Sequence, residues 1–314
     1  MALKATRNSF GETIAKLAEK NMQIVVMDAD LGKSTMTGEF AKKFPDRYFE
    51  MGIAEQNLIG TAAGLSLAGK IPFATSFACF LVGRYETIRM SVSYSNSNVK
   101  LVGTHAGIGI GEDGNSQMGL EDIALLRSLP NIAILQPSDD LETQQAVTWA
   151  VNYKGPVYLR LTRQKLPDIH KENYNFQFGK GDLVKSPSQL KSKNKGIALI
   201  ATGGVVYNSL QASEELEKDG ISIPVVNIHT IKPLDQDLIL TLAKDYKTLL
   251  TIEDHNSIGG LGSAVSEVIA DHGLGIKVVR HGIPGFGHSG SPEELYEKFS
   301  FSSSKIKELI RSII

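Results

Sequence analysis

Five segments hold most of the residues whose types suit chemistry. DADLGKST over 28–35 carries paired carboxylates, a lysine and two hydroxyls, and EMGIAEQNLIG over 50–60 sets Glu55 among small residues. SFACFLVGRYE over 76–86 is aromatic, THAGIGIGEDGNSQMG over 104–119 is glycine-rich with a histidine and two carboxylates, and TRQKLP over 162–167 is basic. Each has a plain reading beside the chemical one. Asp28 and Asp30 could ligate a metal, but carboxylates two apart after a strand are more often a cap and a surface residue. GIGIG resembles a nucleotide loop yet lacks GxGxxG spacing. Phe77 and Phe80 stand one helical turn apart, as core residues do. Glu55 suits a helix start, where the dipole favours negative charge. His105 alone suits a satisfied structural histidine. GGLG over 259–262 is more often a tight strand-to-helix entry than a phosphate loop. Taken singly, none of these segments decides a function.

The elements that must carry them follow an α/β rhythm. The spacing predicts a helix opening at Ser9, with Ser9 and Glu12 as an S-x-x-E capping box. QIVVMDAD reads as a buried strand, followed by apolar segments at 98–103, 131–136 and 156–161. Helical patterns at 119–127 and 139–153 lie between them, an alternation that predicts a mostly parallel, doubly wound sheet. A polar stretch over 168–195 reads as a linker. The alternation resumes at 196, with strands at GIALIATG, ISIPVVNI, KTLLTIED and IKVVRHG. Helices are predicted at 205–219, 235–243, 260–272, 292–299 and 303–313. The expected organisation is therefore two doubly wound domains, 1–167 and a smaller 196–314. Ligands in such sheets bind beyond the carboxyl ends of the strands, where the five segments fall.

Composition removes other classes. The 314 residues are 42% hydrophobic, enough for two cores, and the net charge of -1 gives no basic excess for nucleic acid. One cysteine, Cys79, excludes an internal disulfide framework and fits a reducing compartment. The N-terminus lacks a signal-peptide core, and no apolar stretch is long enough to span a membrane. A soluble, cytoplasmic protein is expected.

Together, KATRNSFGE, DADLGKST, GIAEQN, SFACF, THAGIGIGEDGNSQMGLED, LRSLPN, PSD and LTRQKLP, then IHTIKPLD, IEDHNSIGGLG and IPGFGHSG, resemble the C-terminal two thirds of transketolase. The resemblance covers essentially the whole chain. The GEDG segment with GIAEQN upstream is specific; TIKPLD and EDH are shared more widely among thiamine-diphosphate enzymes. It implies a pyrimidine-binding domain over 1–167 and a transketolase-like C-terminal domain over 196–314. Glu55 matches the glutamate that contacts the cofactor's aminopyrimidine nitrogen, and Phe77 and Phe80 the aromatics around that ring. Asp30 is placed with the cofactor contacts. Arg7, Ser34 and Arg163 match sugar-phosphate contacts, His105 a substrate-site histidine, and Asp113 a contact to substrate hydroxyls. Glu55 and His105 are the implied catalytic pair. Gln117 stands where many members carry histidine, and the SQM form resembles animal-type transketolases.

The family's GDG…N motif, which binds the diphosphate and metal, does not occur here. The resemblance therefore implies a split transketolase of the pentose phosphate pathway, with thiamine diphosphate shared with an N-terminal subunit and Mg²⁺ or Ca²⁺ held by that partner. No metal site is expected in this chain. A homodimer core within a two-plus-two heterotetramer is also implied. The implied reaction moves a two-carbon ketol unit from a ketose phosphate to an aldose phosphate. Rival readings are the beta subunit of a 2-oxo-acid dehydrogenase first component, a deoxyxylulose-phosphate synthase-like fragment, and a non-enzymatic α/β binding module. The GEDG…SQMGLED run argues against the first and the Thr104–His105 pair against the second.

Overall fold

The computed structural model describes residues 3–187 and 195–314. The strands are β1 (Leu3–Ala5), β2 (Ile24–Asp28), β3 (Tyr48–Glu50), β4 (Ile71–Phe77), β5 (Lys100–Thr104), β6 (Ala133–Leu135), β7 (Val157–Arg160), β8 (Lys165–Pro167), β9 (Asp182–Lys185), β10 (Lys195–Ala201), β11 (Val225–Asn227), β12 (Thr230–Lys232), β13 (Tyr246–Asn256) and β14 (Lys277–Ile283). The helices are α1 (Thr6–Ala18), α2 (Gly32–Thr35), α3 (Gly38–Lys43), α4 (Glu55–Leu67), α5 (Ala78–Val82), α6 (Tyr85–Thr87), α7 (Asp122–Arg127), α8 (Asp140–Asn152), α9 (Val206–Lys218), α10 (Gln236–Asp245), α11 (Leu261–Asp271), α12 (Pro292–Lys298) and α13 (Ser303–Ile313). A π-helical turn, Ile88–Tyr94, follows α6.

Beside a two-stranded antiparallel pair of β1 and β8, two larger sheets result, and both follow the doubly wound pattern. The first runs β12-β6-β7-β5-β4-β2-β3 and is parallel except for β12. The second runs β14-β13-β10-β11-β9 and is parallel except for β9. β2 and β5 are buried at every position because helices cover both faces, and this is why they read as apolar runs. Lys100 can sit inside β5 because Asn98 Oδ1 and the carbonyls of Tyr153 and Gly155 take its ammonium at 2.7–2.8 Å. One apolar cluster runs from Leu58, Leu101 and Ile123 to Ile228, Leu242 and Val265, so the two sheets share a core.

Three details differ from the sequence reading. Helix α1 opens at Thr6, and Ser9 is a full turn inside it. The capping box is absent: Ser9 Oγ donates back to the Ala5 carbonyl at 3.4 Å, and Glu12 takes Lys4 at 2.7 Å. β12, from the TIKPLD motif, leaves the second half of the chain and pairs with β6 at the edge of the first sheet. The polar stretch over 168–195 is packed over residues 168–187; residues 188–194 lie outside the described residues. Asp139 accepts the Ile169 and His170 amides at 3.0 and 2.8 Å, Phe178 stacks on Trp149 at 4.0 Å, and β9 closes the second sheet. Its contacts to the first half run through Ile169, His170 and Phe178, while Lys171, Glu172 and Asn173 stay exposed.

Candidate active site

Strands β2, β4, β5 and β7 lie side by side in parallel, with Asp28 against Thr75, Phe77 against Thr104 and Gly103 against Arg160. Their carboxyl ends therefore present 28–35, 77–80, 104–119 and 161–164 along one edge, as open α/β sheets do at ligand sites. Asp28, missed as a positioning residue, is buried and holds the first of these loops. It accepts Leu31 N–H and Thr35 Oγ1 at 2.6 Å and Thr37 Oγ1 at 3.1 Å. That loop carries Ser34.

His105 is the hub. It follows β5 with φ 58°, a left-handed conformation uncommon for a side-chain residue, and it is 2% exposed. Its Nε2 meets Arg7 Nη1 at 2.8 Å and its Nδ1 meets Thr104 Oγ1 at 2.8 Å. A guanidinium only donates, so Nε2 is the acceptor and Nδ1 carries the hydrogen. Burial, then the charges of Arg7 and Arg163, push its pKa down to about 3. The imidazole is neutral. Its ring stacks on Phe77 at 3.8 Å, and Phe77 stacks on Phe80 at 5.4 Å with the planes 5° apart.

Arg7 Nη1 also donates to the Ser34 carbonyl at 2.7 Å, so Ser34 contributes its backbone. Arg7 makes no ion pair among the described residues, and its Nε is buried without a hydrogen-bond partner. Burial and the like charge of Arg163 lower its pKa. Arg163 donates to the Ile110 carbonyl and lies 3.4 Å from Glu112 and 3.8 Å from Asp113. Two cations are thus held near one another, with only half-exposed carboxylates beside one of them. Arg7, with no ion pair of its own among the described residues and a second guanidinium near it, suits an anion.

Glu55 opens α4 and is 5% exposed. Ser76, next to Phe77 in β4, donates to its Oε1 at 3.1 Å, while Oε2 has no hydrogen bond among the described residues. The carboxyl lines an open cavity of about 880 Å³ with Gln56, Asn57, Thr61, Arg84 and Thr87. This setting fits a cofactor ring nitrogen: one oxygen is fixed by Ser76 and the other makes no hydrogen bond among the described residues.

Arg7, Ser34, His105, Asp113 and Arg163 are brought together, and Phe77 and Phe80 stack against them. Gln117 ends a 3-10 turn nearby; its carbonyl accepts the Cys79 thiol at 3.2 Å, and its side-chain amide makes no hydrogen bond among the described residues. Asp30 is set apart. It is exposed, and only its amide is engaged, donating to Glu50 at 2.8 Å. Sequence reasoning also missed Gln164, Asp254 and Tyr296, which brace the 104–119 loop from behind across more than 130 residues. The EDH motif holds Asp254 and the TRQKLP segment holds Gln164, while no motif marks Tyr296. Within EDH, Asp254 reaches the 104–119 loop and His255 accepts the Ala124 amide at 3.3 Å.

The family description "Transketolase, pyrimidine binding domain" matches residues 3–168, and "Transketolase, C-terminal domain" matches 188–306. A Methanocaldococcus jannaschii protein provisionally named a transketolase C-terminal section is 44% identical over 98% of this chain and 95% of its own length. Mouse transketolase is 39% identical over 99% of this chain but 49% of its own length. The chain therefore spans about half of that relative, not two thirds. A solved structure titled "Split gene transketolase, inactive beta4 tetramer" superposes with TM-score 0.89 at 40% identity, covering 99% of this chain and 98% of that one. With two family domains matched in order over nearly every residue, and the cation pair, histidine and aromatic stack at the strand ends, this chain belongs to the transketolase family as a subunit spanning the pyrimidine-binding and C-terminal domains.

Proposed function

We propose that this chain is the C-terminal subunit of a thiamine-diphosphate transketolase that moves a two-carbon ketol unit from a ketose phosphate to an aldose phosphate. It works with an N-terminal subunit that holds the diphosphate and its Mg²⁺ or Ca²⁺. The observation that carries the reading is the Arg7–His105–Arg163 cluster: a neutral imidazole bonded to Arg7, which makes no ion pair among the described residues, with the charge of Arg163 nearby and an aromatic stack beside them. Thiamine diphosphate, when bound, supplies a nucleophilic carbon. The tasks of this chain are the following. Glu55 holds or shares a proton at Oε2, with Ser76 fixing Oε1. Phe77 and Phe80 give the pyrimidine ring an apolar neighbour. Arg7 and Arg163 take the sugar phosphate, and Ser34 orients Arg7 through its carbonyl. His105 offers a neutral imidazole to substrate oxygen, while Asp113 and Gln117 recognise hydroxyls.

The partner is supported by likeness, over nearly the full length of each, to a relative named a transketolase C-terminal section and to a structure titled as a split-gene transketolase. It is also supported by exposed apolar residues around α4: Ile53 before it, Leu67 at its end, and Met90 and Tyr94 on the neighbouring π turn, between 41% and 83% exposed. We assign these residues, with two copies of each chain in the assembly, to subunit contacts. The test is reconstitution with a chain that carries the diphosphate motif. Ketol transfer is expected from the mixture and not from either chain alone. Substantial transfer by the rigorously purified single chain overturns the proposal.

A further inference from the structure

The 104–119 loop has little regular structure, and its bend is held from the second half of the chain. Asp254, near the end of β13, is 3% exposed. Its Oδ1 accepts Ile108 N–H at 2.8 Å; its Oδ2 accepts Gly109 N–H at 3.3 Å and the Tyr296 hydroxyl at 3.0 Å. Gly107 lies so close, at φ 81°, that a Cβ there would stand 2.3 Å from Oδ2. Tyr296, on α12, in turn accepts Gln164 Nε2 at 2.6 Å. Arg160 binds the Asp254 carbonyl at 3.0 Å and the Gly119 carbonyl at 2.8 Å, which ties the far end of the loop to the same point.

Two lines then run to one cation. Forward along the loop, the Ile110 carbonyl accepts Arg163 Nη1. Through Tyr296, the same carboxylate reaches Gln164, the residue after Arg163. We propose that Asp254 is a positioning residue for the phosphate end of the substrate. It fixes the backbone at 108–109 so that Arg163 and Asp113 meet a sugar phosphate in register. Asp254 touches no substrate; its influence passes through Ile110 and Gln164 to Arg163. This assignment rests on the ketol-transfer reading and adds to it a task for the C-terminal domain.

The experiment uses Asp254→Asn and Tyr296→Phe in the complex with the N-terminal subunit. The first replaces a double acceptor with a group that has one acceptor end. The second keeps the ring and removes the hydroxyl, and it covers the case in which Asp254→Asn does not fold. For both variants KM for a phosphorylated aldose is expected to rise, by about tenfold for Asp254→Asn and about threefold for Tyr296→Phe. Turnover of hydroxypyruvate with glycolaldehyde, neither of which carries phosphate, is expected to stay within about twofold. Amide exchange at Ile108 and Gly109 is expected to speed up about tenfold while the β10 amides keep their protection. Equal losses on both substrate pairs, or an unchanged KM, overturn the proposal. If the unmodified complex transfers no ketol unit, the functional reading has failed separately. Exchange then decides: faster exchange confined to 108–109 supports the hold, and unchanged exchange there overturns it.

Discussion

Arg7 can only donate, so it dictates which nitrogen of His105 keeps its proton. An imidazole buried beside two guanidiniums does not charge readily. In nitrogen-detected NMR, His105 is therefore expected to stay neutral, with hydrogen on Nδ1, down to about pH 4; a midpoint near pH 6.5 would contradict the geometry. The sign for stability follows. The unfolded chain binds a proton here near pH 6.5 and the folded chain only near 3, so stability falls as pH drops through that window. Glu55→Gln keeps shape but removes the exchangeable proton, and ketol transfer should fall by about 10²-fold or more at saturating cofactor. Near-normal turnover would remove Glu55 from its role. Arg163→Ala should raise KM for phosphorylated acceptors roughly tenfold and leave hydroxypyruvate almost untouched. Equal losses would make Arg163 structural.

Two helix starts show what short motifs can and cannot say. Ser9 and Glu12 have the spacing of a cap but lie inside α1, because β1 delivers the chain to Thr6 already positioned to turn. Glu12→Ala is thus expected to cost less than about 0.5 kcal/mol in urea melts, as for an exposed ion pair, instead of the ~1 kcal/mol of a lost cap. Asp139 is a cap in fact. It accepts Glu142 N–H at 2.9 Å and also holds His170, whose ring bridges to Asp182 of β9 at 3.1 Å. Burial opposes charging of this imidazole, but hydrogen bonds to Asp139 and Asp182 and the charge of Glu142 outweigh it and raise its pKa to about 10. The stability it lends is complete below pH 6.5 and is lost as pH rises through about 10. His170→Gln should flatten the alkaline side of the stability curve, measurable by chemical denaturation between those limits. The strand-helix alternation was legible because strands covered on both faces must be apolar throughout. β9, β12 and the Asp254 hold were not. Their partners lie tens to more than a hundred residues away, and a polar segment such as 168–187 looks the same whether it meets solvent or Asp139. Among the candidate residues, Arg7 bonds His105 and Arg163 lies near them, whereas Asp30, on the loop after β2, is exposed with only its amide engaged. A loop's place along the strand edge could be read; the direction of each side chain within it could not.

Across the whole molecule, the shared core through Leu101, Ile123, Ile228 and Val265 makes the two sheets one cooperative body. Scanning calorimetry of the chain is expected to show a single transition with equal calorimetric and van't Hoff enthalpies; two resolved transitions would mean the sheets melt separately. Light scattering at micromolar concentration should show self-association of the chain alone and two copies of each chain when the partner is added. A strict monomer that pairs one-to-one would contradict the assembly. The crossing of β12 to the edge of β6 bears on how such chains can be recombined. Sequence would place a cut near residue 190 to exchange the second half for that of a relative. The exchanged piece would have to bring Thr230–Lys232 to complete a sheet in the half that stayed behind, in register with Ile134 and Leu135. A fragment ending before that strand would expose β6 as a bare edge that recruits another chain. An exchange that separates Thr230–Lys232 from β6 therefore leaves the first sheet unfinished.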